Sequence, residues 1–215
     1  MTVPDPLTTL LLTLLAGYLI GALPIADQIS RRQGVDIFST GTGLAGASNI
    51  RRSVGNRSAM IVLLSDLGKG ALVILVARYA GIGGPWVLLP AMAALVGQWK
   101  SVFSRFRGGD GNALLGGILI ALFALSGVIA VLVALIVSLG GQRLPYSSLM
   151  NILAGYLTLA ALVFANDGDL PLTLGTGGLC ALVLARAIYG HIKRRRDGSW
   201  EDFEDTDGAP DIPTA

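Results

Sequence analysis

Six apolar stretches, at about residues 7–27, 58–79, 83–102, 112–141, 148–165 and 171–191, leave this chain few ways to fold. Several reach the ~20 apolar residues that a helix needs to cross a bilayer. In lipid, every backbone N–H and C=O must find a partner within the protein, so such stretches become helices. Only 14% of the residues are charged, against ~25% in soluble domains. The expectation is an all-α, polytopic integral membrane protein. One transmembrane domain would cover 1–196. Residues 197–215, acidic and containing Pro and Gly, would form a disordered tail.

The positions of the basic residues set the topology. Five Lys and Arg fall in 28–57, three in 98–111, one (Arg143) in 142–147 and four in 192–215. The 80–82 and 166–170 connections have none, and the latter carries Asp167 and Asp169. The positive-inside rule then places 28–57 and 98–111 in the cytoplasm, and 80–82 and 166–170 outside. Residues 142–147 must also be inside, so an even number of crossings separates them from 98–111. The 112–141 stretch therefore predicts a hairpin of two short helices, breaking near Leu125-Ser126-Gly127. The count becomes seven transmembrane helices, N-terminus outside and C-terminus cytoplasmic. The first positive charges, Arg31 and Arg32, follow the first apolar run, which argues against a cleaved signal. Trp86 and Trp99, near opposite ends of the third stretch, read as interfacial anchors, and Pro90 as a proline inside a membrane helix. A single cysteine, Cys180, excludes an intrachain disulfide. A net charge of +2 does not suggest nucleic acid.

Two glycine-rich polar insets interrupt this pattern: Asp36–Arg52 and Phe103–Asn112. In the first, Gly41, Gly43 and Gly46 can turn backbone amides toward an anion. Thr42 and Ser48 add hydroxyls, Asn49 an amide and Arg52 a guanidinium whose fork matches phosphate. In the second, Arg105 and Arg107 precede Gly108-Gly109-Asp110-Gly111. That turn opens into an apolar helix whose N-terminus presents a positive dipole end. Each inset also reads as an ordinary basic loop that fixes topology. Together, on one membrane face, they point to a phosphorylated ligand handled at the bilayer surface.

Asp66 and Lys69 stand three residues apart within a membrane stretch. Intramembrane charges mark functional sites, and an i,i+3 pair also neutralises itself. Ser147 and Ser148 sit at another cytoplasmic entry. His191, the only histidine, precedes a run of Lys and Arg that includes Arg194. No P-loop, GxSxG elbow or zinc-protease motif occurs, nor the paired aspartates of the CDP-alcohol phosphotransferases.

These residues resemble, in order, the bacterial acyl-phosphate:glycerol-3-phosphate acyltransferases, over most of 15–200. Gly17-Tyr-Leu-Ile-Gly21-Ala-Leu-Pro24 is similar to the family's first helix, and Gly41–Arg52 to its first motif. Asp66-Leu-Gly-Lys69-Gly70 matches the second helix. Gly97–Gly111 is similar to the second motif, Tyr146–Leu149 to the serine-bearing stretch and His191–Arg194 to the C-terminal basic motif. The departures are specific. Leu44 stands for an Asn, Gln98 for a His, Ser101 for a Pro and Asp110 for a Lys. Ile188 and His191 stand for a His and an Asn, and Asn151 for a hydroxyl residue.

The resemblance implies a seven-helix enzyme of the bacterial inner membrane that moves a fatty acyl group from acyl-phosphate to the 1-hydroxyl of glycerol 3-phosphate. It implies no cofactor and no metal. Ser48, Asn49 and Ser148 would serve catalysis. Gly41, Thr42, Gly43, Gly46, Arg52, Lys69, Arg105, Arg107, Gly108, Gly109, Asp110, His191 and Arg194 would hold the phosphates. Partners would be the two substrates and membrane lipids. Asp110 in place of a cation, with Gln98, leaves a second reading open: a non-catalytic relative that binds phospholipid or a phosphorylated metabolite. The Asp66–Lys69 pair leaves a third, a small transporter.

Overall fold

A computed structural model describes residues 5–140, 147–166 and 168–196. The described residues are helical, without strands: α1 (Pro6–Ala22), α2 (Ile25–Arg32), α3 (Ala47–Ser53), α4 (Asn56–Tyr79), α5 (Leu88–Trp99), α6 (Asn112–Gly140), α7 (Ser147–Ala165) and α8 (Leu170–Arg196). Arg143 and the expected acidic tail 197–215 lie outside the described residues.

The helix boundaries follow from local chemistry. Asp5 caps α1, its carboxylate accepting from Thr8 N, and Pro6 fills the first helical position where no N–H is needed. Pro24 then ends the apolar run early, so 7–27 is not one helix. It gives α1, a break at Leu23-Pro24, and the short polar α2. The third stretch is also shorter than expected. A 3₁₀ turn at Gly84–Val87 precedes α5, which places Pro90 in the first helical turn, where its missing N–H costs nothing.

The 112–141 stretch doubles back on itself. Ala124 has φ 45° and ψ −117°, so α6 is two arms, 112–123 and 125–140. The break falls one residue ahead of Leu125-Ser126-Gly127. A side chain at Gly127 would strike the Leu119 carbonyl, and Val131 lies against Gly116. In a straight helix Gly116 and Val131 would be ~22 Å apart at 1.5 Å per residue. Arg78, at the end of α4, donates to the Ala121 carbonyl near this turn (3.2 Å).

Small residues let the helices touch backbone to backbone. Gly21 of α1 faces the Ala94 carbonyl of α5, and Gly97 of α5 faces the Tyr18 carbonyl of α1, each with no room for a side chain. The shared core contains Val73, Ile74, Leu95, Leu114, Ile118, Ile152 and Val183, drawn from α4 to α8. Large apolar side chains such as Leu15, Leu75, Ile136 and Leu174 remain exposed around the bundle. In water such a surface would aggregate; it is the face a bilayer covers. Four stretches have the length and hydropathy to cross a membrane: Pro6–Arg32, Asn56–Tyr79, Asn112–Gly140 and Leu170–Gly190.

Candidate active site

The first inset is a loop wound around one amide. Buried Asn49, on α3, donates from Nδ2 to the carbonyls of Ile37 (3.2 Å), Thr40 (2.9 Å) and Leu44 (3.0 Å). Its Oδ1 accepts from Thr42 N (3.3 Å) and Ser53 Oγ (3.4 Å). Asp36 starts the loop, accepting from Phe38 N (3.1 Å). Gly41 and Gly43 have φ of 58° and 65°, which side-chain-bearing residues rarely adopt.

This geometry corrects the expectation that the loop's own amides form a phosphate nest. Thr42 N is held by Asn49, Gly43 N donates to the Thr40 carbonyl, and Gly46 N to that of Leu44. These donors are already engaged, so an anion would have to be met mainly by side chains. Asn49 is likewise a positioning residue, with its donors and acceptor all in use. Ser48 and Arg52 are exposed beside it.

The second inset begins where α5 ends. Ser101 Oγ donates to the Ala22 carbonyl at the end of α1 (2.5 Å) and accepts from Phe103 N (3.2 Å). Arg105 and Phe106 take left-handed conformations (φ 54° and 59°), closing a tight turn in which Phe106 N reaches the Ser101 carbonyl (2.7 Å). Gly109 N donates to the Gln98 carbonyl (2.9 Å). A side chain at Gly108 or Gly109 would collide with the carbonyls of Gln98 or Ala45.

The two insets are fastened together. Ala45 N donates to the Gly108 carbonyl (3.2 Å), and the Arg107 guanidinium lies 4.3 Å from the Phe38 ring centre. The structure thus brings the first inset, which carries Gly41, Thr42, Gly43, Gly46, Ser48, Asn49 and Arg52, against the second, which carries Arg105, Arg107, Gly108 and Gly109.

Asp110 departs from expectation. Its Oδ1 accepts from Asn112 N (3.1 Å) and its Oδ2 from Asn112 Nδ2 (3.4 Å). It caps α6 and occupies the helix N-terminus that the sequence had offered to phosphate. Both of its oxygens are thus turned to Asn112 at the start of α6. Its carbonyl accepts from Trp99 Nε1 (2.8 Å), which ties Trp99 to this turn.

Lys69 also departs. Its Nζ donates to Asp66 Oδ1 (2.7 Å), Gln98 Oε1 (2.7 Å) and the Leu23 carbonyl (3.0 Å). Gln98 Nε2 closes the ring on Asp66 Oδ2 (3.1 Å). An ammonium has three donors, and all three are used. Asp66, Lys69 and Gln98 are buried. They lock α1, α4 and α5 beneath the insets, at the Leu23 carbonyl, which also accepts from Ile25 N (3.0 Å). This closed ring removes the one argument for a transporter, and it removes Lys69 from the phosphate ligands. A cavity of about 20 Å³, water-sized, borders it and reaches Arg107, Gly108 and Gly109.

An open groove of about 420 Å³ lies between α2 and the second inset, lined by Asp27, Arg31, Asp36, Ser104, Arg105 and Arg107. Asp27 and Ser104 border both the groove and the small cavity. Asp27 is buried, its carboxylate accepting from Arg31 Nε (2.6 Å) and Ser104 Oγ (3.1 Å). The sequence reading passed over Asp27, although its i,i+4 spacing to Arg31 was visible.

It also passed over Arg186, hidden in the last apolar stretch. Arg186 Nη2 donates to the Gly109 carbonyl (3.3 Å), and its guanidinium lies 5.3 Å from the Trp99 ring centre. An arginine inside an apolar run was the available signal. Ser148 falls in the first turn of α7, and His191 and Arg194 in the last turns of α8. Their side chains lie outside what the structure describes. Among the described residues, no three His, Cys, Asp or Glu cluster to hold a metal.

Residues 11–198 match the family described as glycerol-3-phosphate acyltransferase. This chain belongs to that family. A glycerol-3-phosphate acyltransferase of Geobacter sulfurreducens is 32% identical over 200 residues, covering 92% of this chain and 99% of the relative. Another, from Pseudomonas aeruginosa, is 37% identical over 169 residues, covering 78% and 87%. Among solved structures, the glycerol 3-phosphate form of PlsY (YgiH), an integral membrane glycerol 3-phosphate acyltransferase, superposes with a TM-score of 0.73 at 25% identity. That match covers 88% of this chain and 92% of PlsY. The lysophosphatidic acid form gives a TM-score of 0.70 at 23% identity, which speaks to the fold. Membership confirms the family expected from the ordered motifs, and with it an integral membrane protein.

Proposed function

We propose that this chain is an acyltransferase that moves a fatty acyl group from acyl-phosphate to the 1-hydroxyl of glycerol 3-phosphate, giving lysophosphatidic acid. Family membership supports the acceptor and the reaction class. The observation that supports the site is the fastening of the two insets through Ala45, Gly108, Phe38 and Arg107, with Arg105 and Arg107 lining one open groove.

The acyl-phosphate donor arrives activated, so no acyl-enzyme is required. The glycerol 1-hydroxyl attacks the acyl carbon. A C–O ester bond forms, the bond to the phosphate oxygen breaks, and inorganic phosphate leaves carrying the hydroxyl proton. The protein's work is to align two anions and to offset the charge that builds on the carbonyl and the departing phosphate. Arg52 and Arg107 meet phosphate, Arg105 lines the open groove, and Ser48 and Ser148 orient the reacting groups. The resemblance adds His191 and Arg194 to the phosphate ligands. Asn49, Gly41 and Gly43 hold the shape of the first inset, and Gly108 and Gly109 that of the second. With Asp110 engaged as a helix cap, its charge no longer favours a non-catalytic relative.

In the membrane, the chain crosses seven times, with the N-terminus outside and the C-terminus and both insets in the cytoplasm. The two α6 arms, roughly 18 and 24 Å long at 1.5 Å per residue, are short for a ~30 Å hydrocarbon core. The bacterial inner membrane is the expected site.

The test is direct. Purified full-length protein receives acyl-phosphate and glycerol 3-phosphate, and phosphate release and lysophosphatidic acid are followed together. Stoichiometric appearance of both supports the proposal. Phosphate release without lysophosphatidic acid, or no turnover with both substrates bound, overturns it.

A further inference from the structure

Arg186 is a half-buried guanidinium on α8, within the apolar stretch Leu170–Gly190. Such a charge is costly unless an anion answers it. Asp110 is close enough to act on Arg186 electrostatically. The two nevertheless make no ion pair within 4 Å among the described residues. The Asp110 carboxylate is held instead by Asn112 N and Nδ2. Of the five N–H donors of a guanidinium, one is engaged among the described residues, by the Gly109 carbonyl. Trp99 underlies the guanidinium, and Trp99 is itself pinned to the Asp110 carbonyl. The cation is thus held against the Gly108-Gly109 turn with donors to spare.

A second observation lies beside it. Asn112 Oδ1 is buried and has no hydrogen-bond partner among the described residues. Its amide cannot simply be turned over, because Nδ2 faces Asp110 Oδ2, and a flip would oppose two oxygens. A buried acceptor without a donor among the described residues is open to one from a ligand or a water. A cation and a hydroxyl acceptor on one turn suit a phosphate ester that also carries hydroxyls.

We infer that Arg186 is a phosphate-binding residue of this site, and that Asn112 Oδ1 beside it accepts from a hydroxyl of the same ligand. The inference rests on the proposed acyl transfer for its substrates, both of which carry phosphate. Only glycerol 3-phosphate also carries hydroxyls, so the acceptor substrate is the expected occupant.

The experiment uses the full chain in detergent or bilayers, with Arg186→Ala and Arg186→Lys. Unfolding is followed by labelling of buried Cys180, to confirm that each variant is folded. Binding of glycerol 3-phosphate is measured by titration without donor, and kcat and KM are measured for each substrate. Arg186→Ala should weaken glycerol 3-phosphate binding and raise its KM tenfold or more, leaving the KM for acyl-phosphate within twofold. Arg186→Lys should recover part of the loss, since it keeps the charge and loses the fork. A KM rise confined to acyl-phosphate keeps Arg186 as a phosphate ligand and reassigns the turn to the donor. If the folded variants bind both substrates as the unaltered chain does, the inference fails, whatever happens to kcat. Should the unaltered chain bind glycerol 3-phosphate without making lysophosphatidic acid, the acyl-transfer reading fails, and the titration alone still judges Arg186.

Discussion

Replacing Lys69 with Met tests whether the intramembrane ion pair is a lock or a ligand. The ammonium makes three contacts: Asp66 at 2.7 Å, Gln98 at 2.7 Å and the Leu23 carbonyl at 3.0 Å. Methionine keeps most of the volume and removes all three. Asp66 is left buried with Gln98 Nε2 as its remaining partner. Breaking a buried pair by removing one member costs about 3–5 kcal/mol in soluble proteins. Polar contacts between membrane helices average nearer ~0.6 kcal/mol, with a maximum of about 1.7, because the unfolded chain in lipid also finds partners. An uncompensated carboxylate is worse than a lost hydrogen bond, so about 2–4 kcal/mol is expected. The readout is thermal unfolding in detergent, followed by a thiol-reactive dye on Cys180, the chain's only cysteine, which is buried. Lys69→Met should expose the thiol at a clearly lower temperature. Adding Asp66→Asn should recover much of the loss, since the orphaned charge is then gone. If Lys69→Met unfolds at the unaltered temperature while its KM for a phosphorylated substrate rises, the lock is wrong and Lys69 is a ligand.

Arg52→Ala should weaken binding of a phosphorylated substrate by about 1.5–3 kcal/mol, and Arg52→Lys should also weaken it, as titration with glycerol 3-phosphate and an acyl-phosphate analogue can show. Equal affinity in both variants would leave Arg52 a topology signal only. Asp110→Ala should cost about 0.5–2 kcal/mol of stability through loss of the α6 cap, and Asp110→Asn much less, because Asn caps nearly as well; a large KM change in a stable Asp110→Asn variant would return Asp110 to the ligand set. Single cysteines placed in a Cys180→Ala background should react from outside near Ser126 and from inside at Gly111. Labelling of both positions from one side would sink the seven-crossing topology.

How much was legible in advance depended on the range of the physics. Hydropathy and charge are local, so the membrane class and the hairpin could be read directly. The parity of basic loops required 112–141 to turn back, and Ala124 is where it does. The glycine-rich insets were legible as polar loops between helices for the same reason. What they do was not, because a sequence shows donors without showing who already uses them. Gly43 N, Gly46 N and Gly109 N read as phosphate amides and prove to be engaged within the protein. Lys69 reads as half of an i,i+3 pair, but its other two partners, Leu23 and Gln98, lie 46 and 29 residues away. Arg186 showed as an arginine inside an apolar run, but its partner Gly109, 77 residues away, left no local trace.

The same reasoning bears on Asp110. Judged by charge alone, an aspartate in a phosphate turn predicts repulsion, worth several kcal/mol at ~4 Å and an effective dielectric near 20. That sum holds only if the carboxylate faces the anion. Here it faces the amide of Asn112, where the positive end of α6 compensates it, while Arg186 stands on the same turn with donors unassigned. The net field at the turn is therefore set by three groups: the α6 terminus, Asp110 and Arg186. A cation lost at one position in sequence can be restored at another in space. Asp110→Lys should accordingly not raise activity: it would remove the cap and set a second cation near Arg186, lowering stability. Higher acyl transfer in a stable Asp110→Lys variant would show that the turn still lacks the charge that Arg186 is argued to supply.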